Sequence, residues 1–261
     1  MRNFSRIFLL ALTLCGVIAC RPKAYTLVQY NVGAFKKYEG SSIDAIARVV
    51  KELQADAVTF NEVDSCTRRT CNVDQMKVFA DSMGGWNQFY AAAMPFRGGA
   101  YGVGVASSPA LKVVRTDKIA LPKLNGYEPR AVALAEYEDF VLCSTHLDLT
   151  LESQIGQIEA INHYVDSVYA GCNKPIFIGG DFNALPESES IKLMQQTWQL
   201  LTPLTFSFPA PAPSRCIDYV FVRPNGREVS VEAALIPVTL QNVDLSTASD
   251  HLPVALTVTI R

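Results

Sequence analysis

The sequence lacks an excess of either charge. Its 261 residues carry 23 Lys and Arg against 25 Asp and Glu, a formal net charge of −2. A broad basic surface for clamping a nucleic-acid backbone is therefore not indicated, although a small basic cleft in an acidic protein stays compatible with the totals. It also lacks a fixed-period repeat, a low-complexity tract and a long polar linker. That excludes collagen-like, low-complexity and intrinsically disordered readings. It lacks a typical membrane span, which needs roughly 20 apolar residues; the apolar stretch Ile7 to Ala19 has 13. Seven cysteines are present, but Cys66 and Cys71 do not have the close spacing usual in zinc sites.

What is present begins with an address. Arg2 and Arg6 precede Ile7 to Ala19, which fits a secretory signal peptide. The boundary Val17-Ile18-Ala19-Cys20 resembles a bacterial lipobox. That resemblance implies removal of residues 1–19 and acylation of Cys20, and two or more acyl chains anchor stably where one does not. The alternatives are an uncleaved anchor and a soluble secreted protein with an ordinary cleavage site. The expectation is an exported, lipid-anchored protein of the bacterial cell envelope, on the periplasmic face or the cell surface. Its mature chain, 20–261, keeps 21 basic residues against 25 acidic, a net charge of −4. Export makes disulfides possible. With Cys20 acylated, Cys66 and Cys71, flanking a short polar loop, are the most plausible pair, and Cys143 in an apolar run reads as a buried small hydrophobe.

After Cys20 strands and helices alternate. Strands are predicted at 24–30, 56–62, 87–93, 101–107, 111–119, 130–137, 140–147, 175–179, 217–223, 229–238 and 253–260. Helices are predicted at 41–53, 74–83, 152–169 and 187–197, and 203–213 is a Pro-rich loop. Many strands with a few helices suggest a two-sheet core covered by helices in one domain.

Strand ends carry unusual polar groups: Asn31, Glu62, His146, Asp181 with Asn183, and Asp250 with His251. Each alone could be a turn former or a solvated terminus. Asp218 interrupts an apolar strand and needs a partner or a function. The segments QYNVG, FNEVD, STHLDL, GGDFNALP, CIDYVFV and SDHLPV follow one another from residue 29 to 254. This set resembles the endonuclease/exonuclease/phosphatase superfamily over almost the whole mature chain. The resemblance implies an α/β four-layer sandwich of two packed mixed β-sheets flanked by helices, with a site at one edge of the sheets.

It also implies metal-dependent hydrolysis of phosphoesters. A phosphodiester repels hydroxide, so hydrolysis needs a cation, a positioned water and stabilisation of the leaving group. Mg²⁺ or Mn²⁺ would take Glu62 as principal ligand with Asn31 beside it, and Asp250 on the same or a second metal. Asp181 would orient or deprotonate water, and Asn183 would hold a phosphoryl oxygen. His251, oriented by Asp218, would contact the phosphate as an imidazolium, and His146 would donate to a nonbridging or leaving oxygen. Whether Asp181 or His251 is the base stays open. Arg130 matches a recurrent arginine of the family. Tyr101, in the glycine-rich start Gly99-Ala100-Tyr101-Gly102, could reach the cleft or pack. Many relatives carry an arginine where this chain has Gln154, three residues before Gln157. His163 reads as a surface residue.

The expected activity is that of a phosphodiesterase or nuclease-like enzyme, active as a monomer held to the membrane by its lipid anchor. A phosphatase, a phospholipid phosphodiesterase or a noncatalytic surface binding protein on the same fold are the alternatives. The substrate could be nucleic acid, phospholipid or a small phosphorylated molecule. Lys36-Lys37, Arg68-Arg69 and Arg97 could add local positive charge around the cleft, and Met94 and Phe96 are the apolar candidates for a lipid.

Overall fold

The computed structural model describes residues 22–36 and 40–261. The leader, Cys20 and Lys37 lie outside the described residues. The first sheet contains β1 (Lys23–Asn31), β2 (Ala57–Ser65), β3 (Asn87–Phe96), β4 (Gly99–Ser107), β11 (Val229–Leu235) and β12 (Val254–Ile260). Its order is β11-β12-β1-β2-β4-β3. The second contains β5 (Val113–Leu121), β6 (Arg130–Tyr137), β7 (Val141–His146), β8 (Ile176–Asp181), β9 (Gln199–Leu200) and β10 (Asp218–Arg223). Its order is β5-β6-β7-β8-β10-β9. β1 and β2 are parallel, as are β7 and β8, and the other pairs are antiparallel. These are the two mixed sheets expected from the sequence.

Strand alternation builds the layers, because successive side chains point to opposite faces. Val58 and Phe60 of β2 join the cluster under α1 (Ile43–Glu52) and α2 (Gln75–Ser82), whereas Ala57 faces the other sheet. Tyr219 and Phe221 of β10 pack under α3 (Leu151–Val168) and α4 (Glu189–Met194), whereas Val220 and Val222 face inward. Cys143 is buried in the outer cluster of the second sheet, as its apolar run implied, and burial pushes its thiol up. The very short β9 and α5 (Leu245–Ala248) were not expected, because neither has enough residues to show a period. Among the described residues no helix is long and apolar enough to cross a membrane.

At one end the apolar interface between the sheets turns polar. Gln29 Nε2 donates to Asn61 Oδ1 at 2.6 Å, and Thr59 Oγ1 donates to Gln29 Oε1 at 2.7 Å. Asn61 Nδ2 crosses to Thr145 O at 2.6 Å, and Asn61 Oδ1 accepts from the Asp181 backbone N–H at 2.9 Å. A buried amide left unpaired costs on the order of 1–3 kcal/mol, so this satisfied seam resists sliding of one sheet over the other. The sheets are also close here: a Cβ on Gly179 would stand 2.5 Å from Thr59 Oγ1.

Candidate active site

The topology delivers the polar strand ends to this same pole. Asn31 pairs beside Asn61 at the ends of parallel β1 and β2, and His146 beside Asp181 at the ends of parallel β7 and β8. Asp218 opens β10 opposite Asp181. Because β12 runs back along β1, with Val254 opposite Gln29, Asp250 and His251 return to the end of β1. The result is a cleft of about 580 Å³ whose walls include Glu62, His146, Asp181, Asn183, Asp250 and His251.

Two local distortions aim side chains into it. β2 bulges between Phe60 and Val63, and Glu62 sits at φ 55°. An extra strand residue in the left-handed region re-aims its side chain, a device found next to active sites. Asn183 sits at φ 50°, its N–H donating to Asp181 Oδ1 at 2.8 Å.

Asp181 is the hub. Asn31 Nδ2 donates to its Oδ2 at 3.0 Å and to Glu62 Oε1 at 3.2 Å. Asn31 thus bridges two carboxylates, while its Oδ1 accepts from Gly33 N at 3.1 Å. The Nε2 atoms of His146 and His251 each lie 3.6 Å from the same Oδ2. Burial, then the nearby Asp218 charge, raise the Asp181 carboxyl above its usual range, against the pull of His251.

The two rings differ on their far sides. His251 Nδ1 lies 2.8 Å from Asp218 Oδ2, which also accepts from Ser207 Oγ at 2.6 Å. Burial works against the imidazolium, but the carboxylates of Asp218, Asp181 and Asp250 outweigh it and push His251 up to about 9. His146 Nδ1 lies 3.2 Å from Arg130 Nη1. Burial, then the positive charges of Arg130 and His251, hold it well below the usual histidine value. A guanidinium and an amide NH2 only donate, and Asn183 Nδ2 lies 3.0 Å from Nε2, so the neutral ring is held between two donors, Arg130 at Nδ1 and Asn183 at Nε2.

The donor set fits a hard cation. Among the described residues Asp181, Asp218 and His251 offer ligand atoms within 4.8 Å of one another, but His251 Nδ1 and Asp218 are already engaged with each other. The oxygens of Glu62, Asp250 and Asn31 remain, and Mg²⁺ and Mn²⁺ prefer oxygen ligands. The Asp181 carboxyl is raised first by burial and then by the Asp218 charge, and a cation nearby would favour its ionised form.

The model of the endonuclease/exonuclease/phosphatase family matches residues 28–251. The chain belongs to this family. No curated protein sequence matches it. Its fold is similar to that of an endonuclease/exonuclease/phosphatase family protein from Bacteroides thetaiotaomicron, at 16% identity and TM-score 0.74, covering 92% of this chain and 96% of that one. It is similar to a mannosyl-6-phosphatase of the same organism at 16% identity and TM-score 0.73, covering 90% of this chain and 99% of that one. The human Nocturnin catalytic domain is similar at 16% identity and TM-score 0.67, covering 91% of this chain and 95% of that one.

Within this family site, other expected residues fall as follows. Arg130 is buried against His146, and Tyr101 is buried in the wall with its ring 5.3 Å from the Arg69 guanidinium. Gln154 donates to the carbonyls of Asp148 at 2.8 Å and Asn183 at 3.2 Å. It therefore ties the Asn183 loop to the segment after β7 and adds no charge. His163 is exposed on α3. Met94 and Phe96 line the cleft.

Three expectations change. Arg97 sits at the β3–β4 turn with its guanidinium 5.4 Å from the Phe96 ring, away from the cleft wall. Lys36 donates to the Arg69 carbonyl at 3.0 Å. The cations on the wall are Arg69 and Arg130, both among the expected residues, and Arg215, which was not. Cys66 and Cys71 are exposed free thiols rather than a disulfide. The loop between them is already closed by Thr67 and Thr70, whose hydroxyls donate to Asp64 Oδ2 at 2.6 and 3.2 Å. The sequence reading missed Asn61, which ties the sheets at the hub, and Asp148, whose carboxylate holds the N–H groups of Tyr127 and Glu128 at 3.0 and 3.3 Å. Asp148 was visible inside STHLDL, but only as part of a motif.

Proposed function

We propose that the protein is a divalent-metal-dependent phosphoester hydrolase, exported and lipid-anchored through Cys20 at the bacterial cell envelope. The observation that supports it best is the Asp181 carboxylate, shared by two histidines in opposite protonation states and linked by Asn31 to Glu62. Glu62, Asp250 and Asn31 would hold Mg²⁺ or Mn²⁺, which when bound neutralises phosphoryl oxygens during attack. Asp181, with its raised affinity for protons, accepts a proton from the attacking water. His251 is held charged by Asp218, so it binds the anionic phosphoryl group and is not the base. When substrate binds, the Asn183 amide that faces His146 Nε2 at 3.0 Å turns to a phosphoryl oxygen, and His146 donates from Nε2 to a nonbridging or leaving oxygen.

Phosphodiester cleavage is the leading form of this reading. Hydrolysis of a compact phosphomonoester is the second. It is favoured by the cleft volume of about 580 Å³, within the range of small-molecule pockets, and by the position of Lys36 and Arg97 off its wall. The similar fold of the mannosyl-6-phosphatase agrees with it. Turnover of 4-nitrophenyl phosphate against bis(4-nitrophenyl) phosphate separates the two forms. Wild-type protein is expected to hydrolyse at least one of them with Mg²⁺ or Mn²⁺, lose this in EDTA, and drop about 10³-fold or more in Glu62→Gln with its melting curve kept. Equal rates with and without the metal would sink the assignment, and no turnover at all would favour a noncatalytic binding protein.

A further inference from the structure

The direction of β1 fixes where the cleft opens relative to Cys20. β1 runs nine residues from Lys23 to Asn31, and Asn31 ends in the cleft, bonded to Glu62 and Asp181. Eight strand steps of about 3.3 Å put Lys23 about 26 Å away, at the opposite pole. That pole is common to both sheets. β2 runs parallel to β1, and the parallel pair β7 and β8 likewise ends at the cleft. The β6–β7 turn and Ile260, which pairs with Lys23, stand at the far pole.

The start of β1 is clamped there. Lys23 Nζ donates to Asp139 Oδ2 at 2.7 Å, and Tyr25 Oη donates to the same atom at 2.6 Å. Asp139 lies between β6 and β7, so its carboxylate ties the first residues of β1 to the second sheet. The Tyr25 ring also packs on Phe140, with ring centres 4.8 Å apart. Peeling β1 to lengthen the tether would break these bonds as well as its strand pairing. Only Arg21 and Pro22 separate Cys20 from Lys23. Three residue steps, fully extended, span no more than about 11 Å.

That length decides the orientation. For the mouth of the cleft to meet the bilayer the molecule must turn over, which lifts Lys23 about 26 Å above the surface, beyond a tether of about 11 Å. The far pole is also polar, with the ion pairs Lys23–Asp139, Lys112–Glu138 and Arg261–Glu228, and so suits a headgroup layer. The exposed apolar side chains Tyr127 and Leu149 lie instead on the cleft wall. Alone they would suit a lipid. The tether keeps them off the anchoring bilayer, so they meet what arrives from solution.

We propose that the protein stands on its bilayer by the pole opposite the cleft, so that the site acts on phosphoesters delivered from the aqueous side and not on phospholipids of the bilayer that anchors it. This rests on the Cys20-anchor and hydrolase readings, and it removes a phospholipid phosphodiesterase acting on its own membrane.

The test uses the lipidated full chain in phosphatidylcholine vesicles that carry a rhodamine headgroup lipid. A donor dye is attached through Glu138→Cys or through Leu149→Cys, each with Cys66→Ser, Cys71→Ser and Cys172→Ser. Energy transfer to the bilayer should be at least twofold more efficient from position 138 than from position 149. Inserting about twenty Gly-Ser residues between Pro22 and Lys23, a coil of about 25 Å, should bring the two toward equality. In a second readout, hexadecyl 4-nitrophenyl phosphate in the same vesicles should be cleaved at least tenfold more slowly by the native-length anchor than by the linker form. Both forms should cleave dissolved aryl phosphoesters alike. Equal transfer from the two positions with the native-length anchor, or equal cleavage of the hexadecyl ester by the two forms, would overturn the proposal. A full chain that binds vesicles no better than Cys20→Ser would overturn the anchor reading, and this orientation with it. Vesicle binding without turnover of any aryl phosphoester would overturn the hydrolase reading, and energy transfer then still decides the orientation.

Discussion

His146 and His251 approach the same oxygen of Asp181 from the same 3.6 Å, yet one ring is neutral and the other charged. Their immediate sequences differ at one position, Thr-His-Leu against Asp-His-Leu, and that Asp250 carboxylate is the smallest of the charges that raise His251. The difference lies behind each ring. His146 rests on Arg130, at the start of β6, and His251 on Asp218, at the start of β10. Both rings are buried, and burial alone would make both neutral. The pair shows that burial favours the neutral form of both rings, that Arg130 adds to it at His146, and that the carboxylates led by Asp218 overturn it at His251. One ring thereby stays neutral between two donors, and the other becomes a fixed cation in the cleft.

Removing the charge behind His251 is the strongest way to break this contrast. In Asp218→Asn burial, already the largest single influence on the ring, is opposed only by Asp181 and Asp250, so its pKa should fall well below about 9. Histidine ring NMR titration of the metal-free protein reads this directly. Turnover near neutral pH should fall about 10²- to 10³-fold, because a neutral ring no longer pairs with the anion. A His251 pKa that stays near 9 in this variant would show that Asp181 and Asp250 suffice.

Removing the charge behind His146 should do less. Burial remains the largest influence there, so in Arg130→Met the ring stays neutral near pH 7. What is lost is one of the two donors that flank the ring, Arg130 at Nδ1, leaving Asn183 at Nε2. A roughly tenfold fall in kcat is expected, with the His146 titration displaced less than that of His251 in Asp218→Asn. A kcat loss as large as that of Asp218→Asn would mean that Arg130 itself touches the substrate.

The contrast also separates what could be read in advance from what could not. The strand-end residues Glu62, His146, Asp181, Asp218 and His251 stood out because strands bury apolar side chains, and acids and histidines there need a reason. The two-sheet architecture was equally legible, since alternation and turn spacing are local properties. Arg69 was not separable from Arg68 or Arg97 by sequence. Which arginine faces the cleft depends on the bulge at Glu62, the bonds from Arg69 Nε and Nη2 to buried Asp64 and the β3–β4 turn, all of them set by tertiary contacts. Asn61 was hidden for a related reason. It lies next to Glu62 in FNEVD, but its partners are Gln29, Thr145 and the backbone of Asp181. The Cys66–Cys71 pairing failed because spacing says that two thiols are near in sequence, and the hydroxyl bonds to Asp64 already close that turn.

The smallest effect is on stability, and its sign follows from the direction of each shift. His251 binds its proton more tightly when folded than when unfolded, despite burial, because of Asp218, Asp181 and Asp250. Its stabilising contribution is therefore complete below the unfolded value near 6.5 and is lost as pH rises through about 9. Asp181 also has a raised pKa, so its contribution likewise falls with rising pH, starting from the unfolded carboxylate value near 4. His146 has the opposite sign, because its lowered value makes folding less favourable as pH drops below about 6.5. Between pH 6.5 and 9 the slope belongs mainly to His251. Metal-free protein in EDTA should lose on the order of 3 kcal/mol across that window, or roughly 6–12 °C in Tm for a chain of this size. Asp218→Asn should flatten this limb of the curve and leave the loss below pH 6.5 in place. Parallel Tm profiles for the two proteins from pH 6.5 to 9 would place the titrating group elsewhere and remove the electrostatic difference between the two rings.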